Sequence, residues 1–153
     1  MLNNTFHIFL DIDGVLNRKS DWQRMFTFNN TCLNNFDSLL GHLCNKQKYT
    51  VKIILTSTWR TGFCENNTAI FAPLIQILNQ YNLQIDGITP VTTDKSRQQE
   101  VDYYIRRKDV HNYIILDDDR TLFDDYSDGR LYFTDCNVGL TEKDVKNIKK
   151  ITK

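Results

Sequence analysis

Two aspartates separated by one residue follow an apolar run near the start of the sequence. Asp11 and Asp13 come directly after HIFL, and Gly14 follows them. On an extended chain both side chains point to the same side, so the carboxylates repel and one pKa rises unless a cation lies between them. Beside Mg²⁺, one carboxylate can act as a nucleophile and the other as a general acid and base. Gly14 allows the backbone to turn sharply away from the pair.

A second acidic group ends another apolar run, since Asp117, Asp118 and Asp119 follow YIIL. In open α/β sheets, ligands bind beyond the carboxyl ends of the strands, so Asp117 or Asp118 is expected near the first pair. A site made only of carboxylates favours a hard cation, Mg²⁺ rather than zinc. These parts suit phosphoryl transfer, which also needs cations and hydrogen-bond donors for the phosphoryl oxygens.

A third apolar run, VKIIL, is followed by hydroxyl, aromatic and basic side chains: Thr56, Ser57, Thr58, Trp59 and Arg60. Ser57 is a candidate hydrogen-bond donor to substrate, although turn polarity explains it equally well. Trp59 could stack on a base and Arg60 could bind a phosphate. The alternative is that Trp59 packs beneath the site and Arg60 forms a structural ion pair.

Short apolar segments precede these residues and are typical of strands, because they are β-branched, aromatic and followed by polar breaks. HIFL and YIIL are apolar throughout, as in strands that are buried on both faces of a parallel sheet. Helical patterns alternate with the runs, which predicts one three-layer α/β/α domain over residues 1–153. The predicted strands are His7–Asp11, Val51–Leu55, Gln84–Ile88, Tyr113–Leu116 and Leu131–Phe133.

Helices are predicted where apolar residues recur at intervals of three and four. Two capping boxes mark helix starts, Ser96 with Gln99 and Thr141 with Asp144. The apolar residues of the four predicted helices are Leu33, Phe36, Leu40 and Leu43; Phe71, Leu74, Ile75 and Leu78; Val101, Tyr104 and Ile105; and Val145 and Ile148.

The composition excludes several classes of protein. Nineteen basic and nineteen acidic residues give a formal net charge of zero, unlike a wholesale basic nucleic-acid binder or a disordered acidic chain. No apolar run reaches the ~20 residues of a membrane span, and the start does not resemble a signal peptide. The four cysteines lack zinc-site spacing, so we expect reduced thiols in a cytoplasmic protein: Cys32, Cys44, Cys64 and Cys136.

The chemistry-bearing strings together resemble a known superfamily. HIFLDIDGVLN, IILTS and IILDDD are similar to the first, second and fourth motifs of haloacid dehalogenase-like (HAD) phosphohydrolases, which use an aspartate nucleophile. TSTWR, RQQEV and the late GLT resemble the compact HAD domain of "Swiss Army Knife" RNA-repair proteins. The resemblance implies a Rossmann-like sandwich and a phosphomonoesterase that uses Mg²⁺.

The resemblance also implies roles for individual residues. Asp11 would attack phosphorus and form an aspartyl-phosphate, and Asp13 would protonate the leaving oxygen and then activate water. Thr56 would donate a hydrogen bond to a phosphoryl oxygen. Mg²⁺ would be held by Asp11, the backbone carbonyl of Asp13 and Asp118, with Asp117 ligating or supporting it.

The third motif needs one basic residue against the phosphoryl group. Arg97 lies in the first turn of a predicted helix, where backbone amides also favour anions. Lys95 is the alternative. Glu100, in the same helix, is interpreted as a helix-face charge that pairs locally.

No stretch of the sequence is long enough to form a separate cap domain over the site. An open site suits bulky substrates, so the expected partner is a phosphorylated substrate, for example a nucleic-acid end or a nucleotide. Neither a membrane nor an obligate protein partner is implied. The rival interpretation is a non-catalytic phosphate-binding module or a receiver-like phosphoacceptor; Asp13, two residues after the candidate nucleophile, favours the enzyme.

Overall fold

A computed structural model of the protein describes residues 4–63, 68–92, 95–123 and 129–152. Five parallel strands form one sheet in the order β3-β2-β1-β4-β5. All five predicted strands are confirmed, each end lying within two residues of its expected place. The strands are β1 (Thr5–Leu10), β2 (Thr50–Leu55), β3 (Ile85–Ile88), β4 (Tyr113–Asp117) and β5 (Leu131–Phe133).

Three of the four α-helices that the structure describes connect successive strands, the fourth follows the last strand, and short 3₁₀ turns lie between these elements. Both predicted capping boxes are formed, since the side chains of Ser96 and Thr141 accept hydrogen bonds from the backbone of Gln99 and Asp144. The helices are α1 (Asn30–Gly41, continued by a π-helical turn over His42–Lys46), α2 (Ala72–Asn79), α3 (Arg97–Lys108) and α4 (Glu142–Ile151). The 3₁₀ turns are Lys19–Asp21, Thr58–Gly62, Ala69–Phe71 and Arg120–Phe123.

The helices cover both faces of the sheet, so the predicted three-layer α/β sandwich is confirmed. Residues of α1, α2 and α4, such as Phe36, Leu74 and Ile148, pack with one face. Val101 and Tyr104 of α3 pack with the other face. Among the described residues there is no large cap domain, and no helix is long and apolar enough to cross a membrane.

Strand register places three polar residues side by side. Leu10 of β1 pairs with Leu55 of β2 and with Leu116 of β4, so the next residue on each strand occupies the same level. Those residues are Asp11, Thr56 and Asp117. Because side chains alternate along a strand, all three point to the face that α3 covers.

The cysteines that the structure describes are free thiols. Cys32 is buried, and Cys44 and Cys136 are partly buried. Cys64 lies outside the described residues. Burial raises the pKa of Cys32 and Cys44, which favours the neutral thiol.

Candidate active site

Three carboxylates converge at the carboxyl edge of the sheet, as the sequence predicts for Asp11 with Asp117 or Asp118, but the Asp13 carboxylate is not one of them. Asp11, Asp117 and Asp118 each offer one oxygen, and these oxygens lie within 4.8 Å of one another. Asp11 and Asp117 are buried, and Asp118 is partly buried. Three clustered carboxylates with no sulfur or imidazole donor fit a hard cation such as Mg²⁺. We call Asp11, Asp117 and Asp118 the acidic site.

Burial makes the charged form of this cluster costly. The pKa of Asp11 lies well above its usual range, mainly because of burial and secondly because of the charge on Asp117, while Arg97 acts in the opposite direction. Burial also raises the pKa of Asp118, which is hydrogen-bonded to Asp11. Without a cation, a proton on this pair of carboxylates lowers the cost of burying them. A bound cation would take the place of that proton.

Arg97 is the basic residue that the fold brings to the acidic site. It is the first residue of α3, and its Nη1 lies 2.8 Å from Asp117 Oδ2 and 3.5 Å from Asp11 Oδ1. Burial alone would lower the pKa of Arg97, but the two carboxylates raise it. The alternative, Lys95, has its ammonium group 6.0 Å from the ring centroid of Tyr103. The geometry therefore favours Arg97 over Lys95.

The two adjacent aspartates of the acidic site differ in their partners. Asp117 Oδ2 accepts a hydrogen bond from Arg97 Nη1, and Oδ1 accepts one from the backbone N–H of Asp119 at 3.0 Å. Asp117 is therefore already engaged by donors on both oxygens. This arrangement favours Asp118 as a direct metal ligand and Asp117 as the residue that orients Arg97.

Gly14 allows the turn after β1 to approach Asp118 closely. Its φ is +82°, in the region that glycine tolerates best. A Cβ atom at this position would lie 2.3 Å from Asp118 Oδ2, closer than two such atoms can come. Only glycine therefore permits both the turn and the observed position of Asp118.

Asn17 holds Asp13 in place, a role that the sequence reasoning missed. Its Nδ2 donates to Asp13 Oδ1 at 2.8 Å and to the Thr27 carbonyl at 2.9 Å. Its Oδ1 accepts from the Gly14 N–H at 2.9 Å and from Trp22 Nε1 at 2.8 Å. All four hydrogen-bonding positions of this buried amide are thus filled. Its only signal in the sequence is its position in the string DIDGVLN.

Trp59 also supports Asp13. Its Nε1 donates to Asp13 Oδ1 at 3.1 Å, and its ring packs against Phe28 and Phe71. At 5% exposure, the indole has little surface on which a base could stack. The structure therefore shows the alternative arrangement, with Trp59 packed beneath the site. Asp13 is oriented by two donors on one oxygen.

The Thr56 hydroxyl is buried and has no hydrogen-bond partner among the described residues. A buried hydroxyl without a partner costs about 1–3 kcal/mol, so such groups are uncommon in folded proteins. A phosphoryl oxygen would supply the missing partner. The neighbouring Ser57 is different, since its Oγ accepts from the Trp59 N–H at 3.1 Å and caps the 3₁₀ turn. Turn formation therefore accounts for Ser57.

Arg60 and Glu100 form a buried ion pair, at 2.9 Å and with both side chains at most 6% exposed. Arg60 also donates to the backbone carbonyls of Thr56 and Ser57, and Glu100 accepts from the Thr92 N–H. The interpretation of Glu100 as a locally paired surface charge is wrong, because its partner lies 40 residues away. For Arg60, the structural ion pair is the arrangement observed, and it ties α3 to the end of β2.

One comparison with known proteins gives a match that spans most of the chain. The model of the family described as "HAD domain in Swiss Army Knife RNA repair proteins" matches residues 7–145. The chain belongs to this HAD family. Searches of curated proteins and of solved structures gave no match. Membership of the HAD family indicates chemistry of the phosphohydrolase type, and the matched range contains every residue of the acidic site.

Proposed function

We propose that this HAD domain is a Mg²⁺-dependent phosphomonoesterase that acts through an aspartyl-phosphate on Asp11. The observation that carries the proposal is the convergence of three carboxylate oxygens within 4.8 Å beside an arginine and a hydroxyl that has no partner among the described residues. The carboxylates suit a cation, and Arg97 and Thr56 suit the oxygens of a phosphoryl group.

In the first half of the reaction, an oxygen of Asp11 attacks phosphorus and the bond from phosphorus to the leaving oxygen breaks. Asp13 gives its proton to that oxygen, so the leaving group departs as an alcohol. In the second half, Asp13 takes a proton from water, whose oxygen attacks the phosphorus of the aspartyl-phosphate. Inorganic phosphate leaves, and Asp11 and protonated Asp13 are restored.

Mg²⁺ would be held by Asp11, Asp118 and the backbone carbonyl of Asp13, with Asp117 in support. When bound, it would neutralise charge on the carboxylates and on the phosphoryl oxygens. The raised pKa of Asp11 and Asp118 supports this assignment, because a cation would offset the burial, and secondly the repulsion, that favour protonation of these carboxylates.

For the substrate, we propose a phosphate at a nucleic-acid end or on a nucleotide. The description of the family refers to RNA repair proteins. The described residues include no large cap that would restrict the size of the substrate. Both points support a phosphate carried on a polymer or a large leaving group.

The test is steady-state turnover of a generic aryl phosphate and of 3′- and 5′-phosphorylated oligonucleotides with Mg²⁺. Asp11→Asn should abolish turnover because it removes the nucleophile. Asp13→Asn should slow turnover by about 10²- to 10⁴-fold, the contribution of general acid–base catalysis, and should allow phosphoenzyme to accumulate.

Asp109→Asn provides the matched control. This aspartate is exposed, and its positive φ of 54° is one that asparagine tolerates. It should retain full activity. Multiple turnover by Asp11→Asn would refute the nucleophile, and a single phosphorylation without turnover in the wild-type protein would support the receiver-like alternative.

A further inference from the structure

Exposed apolar side chains cluster on the segment between residues 18 and 29, beside Asp13. Met25 is 82% exposed, Phe26 41% and Trp22 40%. Phe26 has a positive φ of 57°, uncommon for a bulky residue, and its ring contacts Trp59 edge to face at 5.1 Å. Several large apolar groups that share one surface mark a binding region.

These side chains line one recess. Its volume is about 360 Å³, and its walls include Trp22, Arg24, Met25, Phe26 and Trp59. That volume lies within the range of small-molecule sites. Asp13 lines the same recess. The recess therefore meets the site at the residue to which we assign proton transfer.

The role of Asp13 determines what the recess must hold. A general acid has to lie within hydrogen-bond reach of the oxygen that it protonates. The donors Asn17 and Trp59 both bind Oδ1 of Asp13, which leaves Oδ2 for the proton transfer. Because Asp13 also lines the recess, a leaving group protonated by this residue would lie in the recess while the phosphoryl group stays beside Asp11.

Arg24 adds charge recognition to these walls. It lines the recess, and among the described residues no carboxylate forms an ion pair with it. Aromatic walls with one available cation suit a leaving group that carries a flat ring and a second negative charge. A nucleotide within a strand offers both, since its base is flat and the next phosphate is anionic.

We propose that this recess is the leaving-group subsite and that it takes the terminal nucleotide of a nucleic-acid strand. The base lies against Phe26 and Trp22, and the adjacent phosphodiester pairs with Arg24. This inference rests on the proposed function, because it takes Asp13 as the acid. It adds that a strand end is preferred over a mononucleotide, which lacks the second phosphate.

The experiment measures kcat/KM for four substrates: a terminally phosphorylated oligonucleotide, the corresponding mononucleotide, glycerol phosphate and a phosphotyrosyl peptide. Phe26→Asn removes the ring at a position where asparagine tolerates the backbone, and should lower kcat/KM for the oligonucleotide by roughly 5- to 150-fold. Arg24→Gln should lower it by about 10-fold and weaken its salt dependence. Either substitution should lower kcat/KM for glycerol phosphate less than kcat/KM for the oligonucleotide.

Ile151→Ala and Arg106→Gln are the controls, an exposed apolar residue on α4 and an exposed basic residue on α3. Both should leave the ratio of kcat/KM for the oligonucleotide to kcat/KM for glycerol phosphate unchanged. The inference is overturned if Phe26→Asn and Arg24→Gln also leave that ratio unchanged. It is likewise overturned if the mononucleotide or the phosphopeptide is the better wild-type substrate.

Binding of the phosphorylated oligonucleotide, followed by tryptophan fluorescence, separates this inference from the proposed function. If the wild-type protein shows no turnover but Phe26→Asn and Arg24→Gln weaken binding, the proposed function fails and nucleotide recognition in the recess stands. If turnover is normal and neither variant changes binding or specificity, the proposed function stands and the recess assignment fails.

Discussion

The acidic site and the recess meet at Asp13 but are built in different ways. Asp117 is the last residue of β4, and Asp11 directly follows β1. Both strands are parallel and buried, and the register of the sheet fixes the spacing of the two aspartates. Half of the residues that line the recess come from the segment before α1, where Met25 and Phe26 are exposed. Strand ends hold the charged groups, and a surface segment holds the apolar ones.

This difference separates reaction chemistry from substrate choice. A change in the acidic site, or in the contacts that hold it, should lower turnover of every phosphomonoester alike. A change in the recess should alter the ratio between substrates. Sites on sheets are held more precisely than sites on loops, and loops tolerate more sequence change. Substitutions at Glu100, Gly14 and Asp118 test this division.

Glu100→Gln should have the largest effect on stability. The substitution leaves the Arg60 charge buried without a carboxylate, which typically costs about 3–5 kcal/mol in the free energy of unfolding. Because Arg60 binds the Thr56 carbonyl and α3 carries Arg97, turnover should fall for all substrates by the same factor. Urea unfolding and kcat/KM for an oligonucleotide and for glycerol phosphate measure the two effects.

Glu142→Gln is the matched control for this variant, because it removes the same charge from an exposed pair with Lys146 at 4.0 Å. Such surface pairs contribute little to stability. We therefore expect unfolding and turnover to remain at wild-type values. An equal loss of unfolding free energy in Glu100→Gln and Glu142→Gln would show that burial does not determine how much the Arg60–Glu100 pair contributes to stability. A changed substrate ratio in Glu100→Gln would contradict the proposed division.

Gly14→Ala should have the next largest effect. The added Cβ overlaps Asp118 Oδ2, and the positive φ costs an alanine about 1–3 kcal/mol. Displacing a carboxylate by about 1 Å can lower turnover by about 100-fold. We expect that loss for every substrate, with weaker binding of Mg²⁺ by calorimetry.

Gly129→Ala is the control for Gly14→Ala, since no described residue other than its chain neighbours has an atom within 4 Å of its ideal Cβ position. It should bind Mg²⁺ and turn over substrate as the wild-type protein does. Normal Mg²⁺ affinity in Gly14→Ala would mean that Asp118 is not a metal ligand, whatever the effect on turnover.

Much of this fold follows from local patterns that the sequence displays. HIFL and YIIL predict buried strands because most of their residues are aliphatic or aromatic, and the capping boxes at Ser96 and Thr141 predict helix starts. The convergence of Asp11 with Asp117 then follows, because parallel strands end at one edge of the sheet. These predictions need only periodicity and the rules of sheet topology.

Other features depend on the approach of residues that are distant in sequence. Glu100 pairs with Arg60 across 40 residues, and nothing in the helical pattern distinguishes it from a surface charge. Asn17 binds Asp13 and Trp22 only because the turn after β1 folds back. The positive φ of Phe26 has no sequence signature, since the propensity of phenylalanine favours the opposite. The sequence pattern therefore does not predict the recess.

The smallest expected effect is a pH dependence of stability to which the acidic site contributes and the apolar residues of the recess do not. The pKa of Asp11 and that of Asp118 are raised in the folded protein, chiefly by burial. Between the unfolded and folded pKa values, the folded state binds more protons. In EDTA, the free energy of unfolding should therefore rise as pH falls through the folded pKa, by at most about 1.4 kcal/mol per pH unit for each proton.

Saturating Mg²⁺ should flatten this dependence, because the cation binds the deprotonated folded site and stabilises it most at higher pH. Burial also raises the pKa of Asp86 and Asp102, so the wild-type profile is compared with that of Asp118→Asn. The variant should lose the part of the slope that responds to Mg²⁺, whereas Phe26→Asn in the recess should keep it. If the slope of the free energy of unfolding against pH still responds to Mg²⁺ in Asp118→Asn, the cation binds away from the acidic site. The strand ends would then not be the metal site that distinguishes them from the apolar recess.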